Sequence, residues 1–123
     1  MEYGPVTARY FDALTRAGEL PNSLPGLVSG EAEDRTLHVW VRFQLQIEGG
    51  VVRLARFEAF GCPHTVAAAS KVAEWLEGRS EREARTLDVK ELCADLEVPV
   101  EKIGKLLRIE DAVAACWRSR DRQ

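Results

Sequence analysis

The sequence predicts an α+β fold, a small antiparallel sheet of about three strands with helices packed on one face. Two runs of two-residue alternation joined by a glycine-rich link predict the sheet, and a series of helical stripes after residue 62 predicts the covering layer. The 123 residues suit one domain, 1–123, large enough to bury a stable core. Apolar residues at 46% and charged residues at 30% are globular values and exclude a disordered or collagen-like chain.

The first stripe is Val6, Tyr10, Ala13, Leu14 and Ala17, a short amphipathic helix with Pro5 at its start and Gly18 at its end. Residues 19–35 hold Pro21, Pro25, Gly26 and Gly30 and read as a loop or an edge strand with a charged, mobile tip, Glu31 to Arg35. Leu37, Val39, Val41, Phe43, Leu45 and Ile47 then alternate with polar residues or Trp40. A second strand, Val51 to Phe60, follows the link Glu48-Gly49-Gly50. A two-residue Gly49-Gly50 loop would oppose Phe43 to Arg56. A three-residue loop opposes Ile47 to Val51, Phe43 to Ala55, Val41 to Phe57 and Val39 to Ala59, leaving only Leu45 against Arg53, and so predicts this register. Extended, it sets Thr36 opposite Cys62 and His38 diagonal to Cys62.

Val66, Ala69, Val72, Ala73 and Leu76 form the stripe of a helix that ends at Gly78. Ser80 with Glu83 and Asp88 with Glu91 match capping boxes and predict two short helices, the second with Leu92, Ala94 and Leu96 as apolar positions. After Pro99 a last helix is expected over Glu101–Arg118, with Ile103, Leu106, Leu107, Ile109, Ala112, Val113 and Cys116 inward. Arg118, Arg120 and Arg122 read as a frayed, solvated tail.

Seventeen basic side chains against twenty acidic ones, net charge −3, do not suit a nucleic-acid surface. No apolar run reaches the roughly 20 residues of a membrane helix. Met1 to Pro5 carries no basic segment leading into an apolar one, so a cytoplasmic location without a signal peptide is expected. The three cysteines, Cys62, Cys93 and Cys116, are widely spaced and fit a reducing compartment better than a disulfide framework. There is no glycine-rich phosphate loop, Ser-His-Asp order or paired-carboxylate pattern, so the chain does not read as an enzyme.

Cys62 stands out among the polar residues. In Phe60-Gly61-Cys62-Pro63-His64 the proline suits a first helical residue, which makes Cys62 the N-cap. A thiol there faces the positive end of the helix dipole and free amides, and both favour a thiolate that reacts or binds metal. The alternative is a small capping residue without chemistry. Cys93 and Cys116 lie among apolar neighbours and read as core. His38 and His64, the two histidines, could join Cys62 in a sparse mononuclear metal site; each alone reads as a half-exposed polar residue.

Ala55-Arg56-Phe57-Glu58-Ala59-Phe60-Gly61-Cys62, then Ala67-Ala68-Ala69-Ser70 and Glu74-Trp75-Leu76-Glu77-Gly78-Arg79-Ser80, resemble the centre of NifU/IscU-type iron–sulfur cluster assembly scaffolds. Leu96 to Ile103 and Glu110 to Val113 are similar to the family's proline-containing chaperone-recognition segment and following helix, and Tyr3 to Leu20 weakly resembles its start. The resemblance runs from about Tyr3 to Trp117. It implies an IscU/NifU-N-like fold, a scaffold role in cluster assembly, iron or an iron–sulfur cluster as cofactor, and Cys62 as the retained sulfur-accepting or cluster-ligating residue. As partners it implies a cysteine desulfurase and an Hsp70-type chaperone system, with a homodimer as a further expectation and no nucleic acid or membrane.

The departures from the family are specific. Of the family's three cysteines and one aspartate, only the middle cysteine is present, as Cys62. By the resemblance, the first cysteine's place is Thr36, the aspartate's His38, the third cysteine's Lys105 and its preceding histidine's Gly104. A two-iron, two-sulfur cluster wants about four mostly thiolate ligands. One thiolate, one imidazole and a lysine do not supply them within one chain. Two function classes follow: an assembly factor that works through Cys62, or a binding module that keeps the scaffold fold without building clusters.

Overall fold

The computed structural model describes Pro5 and residues 16–123. The first expected helix lies outside the described residues except for its end. Strands β1 (Leu27–Asp34), β2 (Val39–Glu48) and β3 (Val51–Phe60) form an antiparallel sheet in the order β1-β2-β3. Helices α1 (Pro63–Leu76), α2 (Glu81–Ala84), α3 (Val89–Leu92) and α4 (Ile103–Asp121) follow, with short 3-10 turns at Ala94–Leu96 and Val100–Lys102 before α4. The core lies between one sheet face, carrying Val41, Phe43, Leu45 and Phe57, and Val72 and Leu76 of α1 with Leu106 and Ile109 of α4. The expected α+β architecture is the observed one.

The β2–β3 register differs from the expected one. Glu48 pairs with Val51 and Ile47 with Val52 across a two-residue Gly49-Gly50 turn, and beyond an irregularity at Gln46/Ile47 the partners are Leu45–Ala55, Phe43–Phe57, Val41–Ala59 and Trp40–Phe60. The extra residue is Arg53, left without a partner in the ladder. A bulge lets a tight turn coexist with an unbroken apolar face. It brings Val52 rather than Val51 into the core and relieves the Leu45–Arg53 mismatch. Alternation alone could not reveal it, because a bulge changes the parity that the pattern assumes.

β2 also starts later than expected. Leu37 and His38 belong to the turn between β1 and β2, where the Asp34 carboxylate accepts from the Leu37 amide at 3.0 Å and His38 adopts φ 54°. Thr36 is therefore not paired with Cys62. The residues expected as a mobile charged tip are mostly strand: Glu31 pairs with Arg42 and Glu33 with Trp40. The inward positions of β1 include Val28, Gly30 and Ala32, too small to give a strong alternating signal. They are small because α4 lies close. A methyl group on Gly30 would overlap the Ala112 carbonyl and the Cys116 amide nitrogen of α4.

The helix starts agree with expectation. Ser80 accepts from the Glu83 amide at 3.2 Å and Asp88 from the Glu91 amide at 3.1 Å. Helix α4 runs past the expected end. Rather than a frayed tail, Asp121 pairs with Arg85 at 2.7 Å and Arg120 with Glu81 at 3.3 Å, while Arg85 stacks on Trp117. Leu107, expected inward, is exposed, as is Ala94.

Among the described residues the outer edge of β3 is covered by neighbouring segments and a side chain rather than by a fourth strand. Val52 donates to the Arg79 carbonyl, Phe57 donates to the Arg16 carbonyl, and Gly18 donates to Phe57. Between them the Glu77 carboxylate accepts from the Ala55 amide at 2.9 Å and pairs with Arg16 and Arg56 at 3.2 and 3.0 Å. Such pairing blunts an edge that would otherwise recruit another chain. Burial pushes the Glu77 carboxyl up, but the Ala55 amide and the two guanidinium groups outweigh it and hold it below its ordinary 4.5. Glu77→Ala removes the carboxylate that the Ala55 amide and the two guanidinium groups share and is expected to cost about 1–3 kcal/mol at neutral pH in urea unfolding. A depressed carboxyl stabilises the fold above its unfolded pKa and loses that effect as pH falls through the folded one. The gap between wild type and Glu77→Ala should therefore shrink as the pH is lowered below 4.5.

Candidate functional site

β3 hands the chain to α1 through Gly61 and Cys62. Gly61 has φ 157°, and a β-carbon there would lie 3.3 Å from the Thr65 side chain. Cys62 is the N-cap of α1, with φ −74° and ψ 164°, and Pro63 opens the helix, as expected. The Cys62 carbonyl accepts from Thr65 at 2.9 Å. The cysteine's Sγ lies 3.5 Å from the Thr65 hydroxyl. Thr65 is fully buried, whereas Cys62 is only partly so.

Two lysines from the start of α4 complete the surroundings. Burial pushes the Cys62 thiol up; the Thr65 hydroxyl and amide, then the positive charges of Lys105 and Lys102, outweigh that and bring it below its ordinary value. The Lys102 ammonium lies 3.4 Å from His64 Nδ1. An ammonium only donates, so Nδ1 is the acceptor of that contact. His64 is buried, 5% exposed, rather than half-exposed as expected. Burial, then Lys102 and Lys105, hold it below its ordinary 6.5, so the imidazole is neutral at pH 7.

The turn between β1 and β2 reaches the same end of the molecule. A β-carbon on Gly104 would sit 3.2 Å from Leu37 Cδ1, so the loop carrying Thr36 and His38 touches the first turn of α4. Thr36 and His38 themselves are exposed. His38 lines a shallow cleft with Glu33, Trp40 and Phe60, and Cys62 is not part of its lining. Among the described residues no three or more His, Cys, Asp or Glu side chains are grouped to hold a metal ion. Cys62, His38 and His64 are not brought together as such a set.

The other two cysteines are core, as expected. Burial pushes Cys93 and Cys116 up to about 12, and Cys116 Sγ contacts the Phe43 carbonyl at 3.5 Å. Thr65 and Lys102 were not legible as site residues. Thr65 had one available signal, its place three residues after an N-cap, where side chain and cap meet. Lys102 had one too, lying three residues before Lys105 at a helix start.

Cys62 thus sits at the β3–α1 junction, within electrostatic reach of the lysines at the start of α4. The family model described as the NifU-like N terminal domain matches residues 3–119. The chain belongs to this family. It is 27% identical over 119 residues to the iron–sulfur cluster assembly scaffold protein IscU of Azotobacter vinelandii, covering 96% of this chain and 93% of that protein. It is 27% identical over 116 residues to IscU of Escherichia coli K12, covering 94% and 91%. Among solved structures, a NifU-like N-terminal protein from Brucella abortus superposes with a TM-score of 0.74 at 19% identity, covering 98% of this chain and 94% of that one. That likeness supports the fold.

The donor set does not fit an iron–sulfur cluster held by one chain. Four ligands are needed, mostly sulfur, and Cys62 is the one thiol at this junction, with Thr36, His38 and Lys105 at the other positions singled out by resemblance. Native-state alkylation with iodoacetamide, followed by peptide mass spectrometry, is expected to label Cys62. Cys93 and Cys116 should react only after unfolding.

Proposed function

We propose that this chain acts in iron–sulfur cluster assembly as a scaffold-like protein, with Cys62 as the residue through which it takes part. Cys62 accepts sulfur or contributes one ligand to a cluster completed by another chain. The carrying observation is a partly exposed, cation-flanked thiol at the N-terminus of α1, within a chain whose relatives of similar length are named cluster assembly scaffolds. The iron or cluster is cargo here, not a resident cofactor, and the chain performs no catalysis of its own.

A cysteine desulfurase is the sulfur donor in this reading, and the segment from Leu96 to Ile103 is the docking point for an Hsp70-type chaperone system. That segment is well presented for recognition. Glu97 turns it with φ 54°, Pro99 stiffens it, and Val100 stands 86% exposed. His38, on the exposed turn between β1 and β2, and His64, buried against Lys102, enter this reading only as imidazoles for a metal shared with another chain, and the protein works in the cytoplasm.

The test mixes the purified protein anaerobically with a cysteine desulfurase, cysteine and ferrous iron. The expected result is sulfur or a visible cluster traced to Cys62 and abolished by Cys62→Ser. Neither product with wild type would overturn the proposal. Equal desulfurase binding by wild type and Cys62→Ser, without either product, would instead identify a docking module.

A further inference from the structure

Two clefts adjoin on the surface made by the C-terminal half of α1 and by α3, and they share Trp75 and Leu92. The first, of about 400 Å³, runs past Lys71, Glu74 and Arg79. The second, of about 420 Å³, runs past Leu87, Asp88 and Glu91. Both open to solvent, and neither is lined by Cys62, His64 or the lysines of α4. The floor is apolar and accessible, since Trp75, Leu87 and Leu92 are all half-buried. The charge of the groove is one-sided. Its two cations are already paired, Lys71 with Asp95, and Arg79 with Glu83 at 3.2 Å. Glu74, Asp88 and Glu91 are exposed and have no ion-pair partner among the described residues. The Asp88 carboxylate only caps the Glu91 amide. Arg79 shows how the indole takes a guanidinium: its Nε donates to the Trp75 carbonyl at 2.7 Å, and its Cζ lies 4.1 Å from the Trp75 ring centroid. No cation lines the second cleft.

We propose that this groove docks a segment of a partner protein that carries an arginine or lysine beside a large apolar side chain. The apolar side chain covers Trp75, Leu87 and Leu92. The cation meets Asp88 and Glu91 in the second cleft, with its aliphatic stem along the apolar floor. Charge complementarity selects this occupant. An acidic peptide, a nucleic acid or an anionic membrane would meet three unpaired carboxylates, and like charges reject a wrong partner. A purely apolar segment would gain nothing from those carboxylates. Two clefts in a row suit a length of chain better than a single small molecule. Tryptophan is also the side chain type that most often anchors a protein interface. The groove is separate from the surroundings of Cys62, so this partner is an addition to the assembly role and does not depend on it.

The test selects a phage-displayed library of random short peptides against the full chain at low ionic strength. The consensus peptide is then synthesised and its binding measured by fluorescence anisotropy. The recovered peptides should share an arginine or lysine beside a leucine, isoleucine, methionine or aromatic residue. Reversing two charges together, Glu74→Lys with Glu91→Lys, should weaken binding about tenfold, and added salt should weaken wild-type binding in the same direction. Trp75→Ala should weaken it about thirtyfold. If Trp75→Ala does not fold by circular dichroism, the double charge reversal carries the test, because both of its positions are exposed. No recovered peptide, a consensus without a basic residue, or binding indifferent to the charge reversal would overturn the inference. Self-association of the chain in analytical ultracentrifugation, abolished by the same charge reversal, would also overturn it, by seating a second copy in the groove.

Discussion

The site depends on one meeting, between the turn that carries β3 into α1 and the first turn of α4. Gly61 permits the backbone bend, Cys62 ends up as the helix N-cap, and Thr65 comes back against its sulfur at 3.5 Å. From across the junction the start of α4 brings Lys102 to His64 and places Lys105 within electrostatic reach of Cys62. Without α4 at that position, only Thr65 and the helix dipole would act on the Cys62 thiol.

The rest of the fold serves to bring α4 there. Gly30 allows its backbone to lie directly on β1, and Leu106, Ile109 and Val113 anchor it in the core. At the far end, ion pairs to Arg85 and Glu81 and the stacking of Arg85 on Trp117 tie its last turns to α2. The sheet it rests on keeps a continuous apolar face because Arg53 bulges out of the β2–β3 ladder. Glu77 closes part of the β3 edge. These are separate devices with one result, a fixed separation between the N-terminus of α1 and that of α4.

Much of this was legible from the sequence, for stated reasons. Strong alternation gave β2 and β3, and Ser80, Asp88 and Pro63 marked helix starts because capping chemistry is local. β1 reads from the sequence only as a loop or an edge strand because the residues facing α4 are small, and the β2–β3 register escapes a two-residue alternation because a bulge leaves no mark in it. Cys62 could be singled out from its place before a proline, and resemblance directed attention to Lys105. Lys102 needed the structure, since its role comes from a contact with His64, 38 residues away in sequence, whereas the contact of Thr65 with Cys62 spans three residues.

The chain keeps the family's fold, and Lys102 and Lys105 are the charged groups acting on Cys62, with no metal-holding group of His, Cys, Asp or Glu among the described residues. That combination favours anionic sulfur. The most direct measurement of this central claim is the thiolate absorbance titration of Cys62, which stands clear of Cys93 and Cys116 at about 12. The account predicts a Cys62 pKa below the ordinary 9.0 of a cysteine thiol, rising when Lys102 and Lys105 are both changed to glutamine. A wild-type value at or above 9.0, or one indifferent to the two lysines, would contradict it.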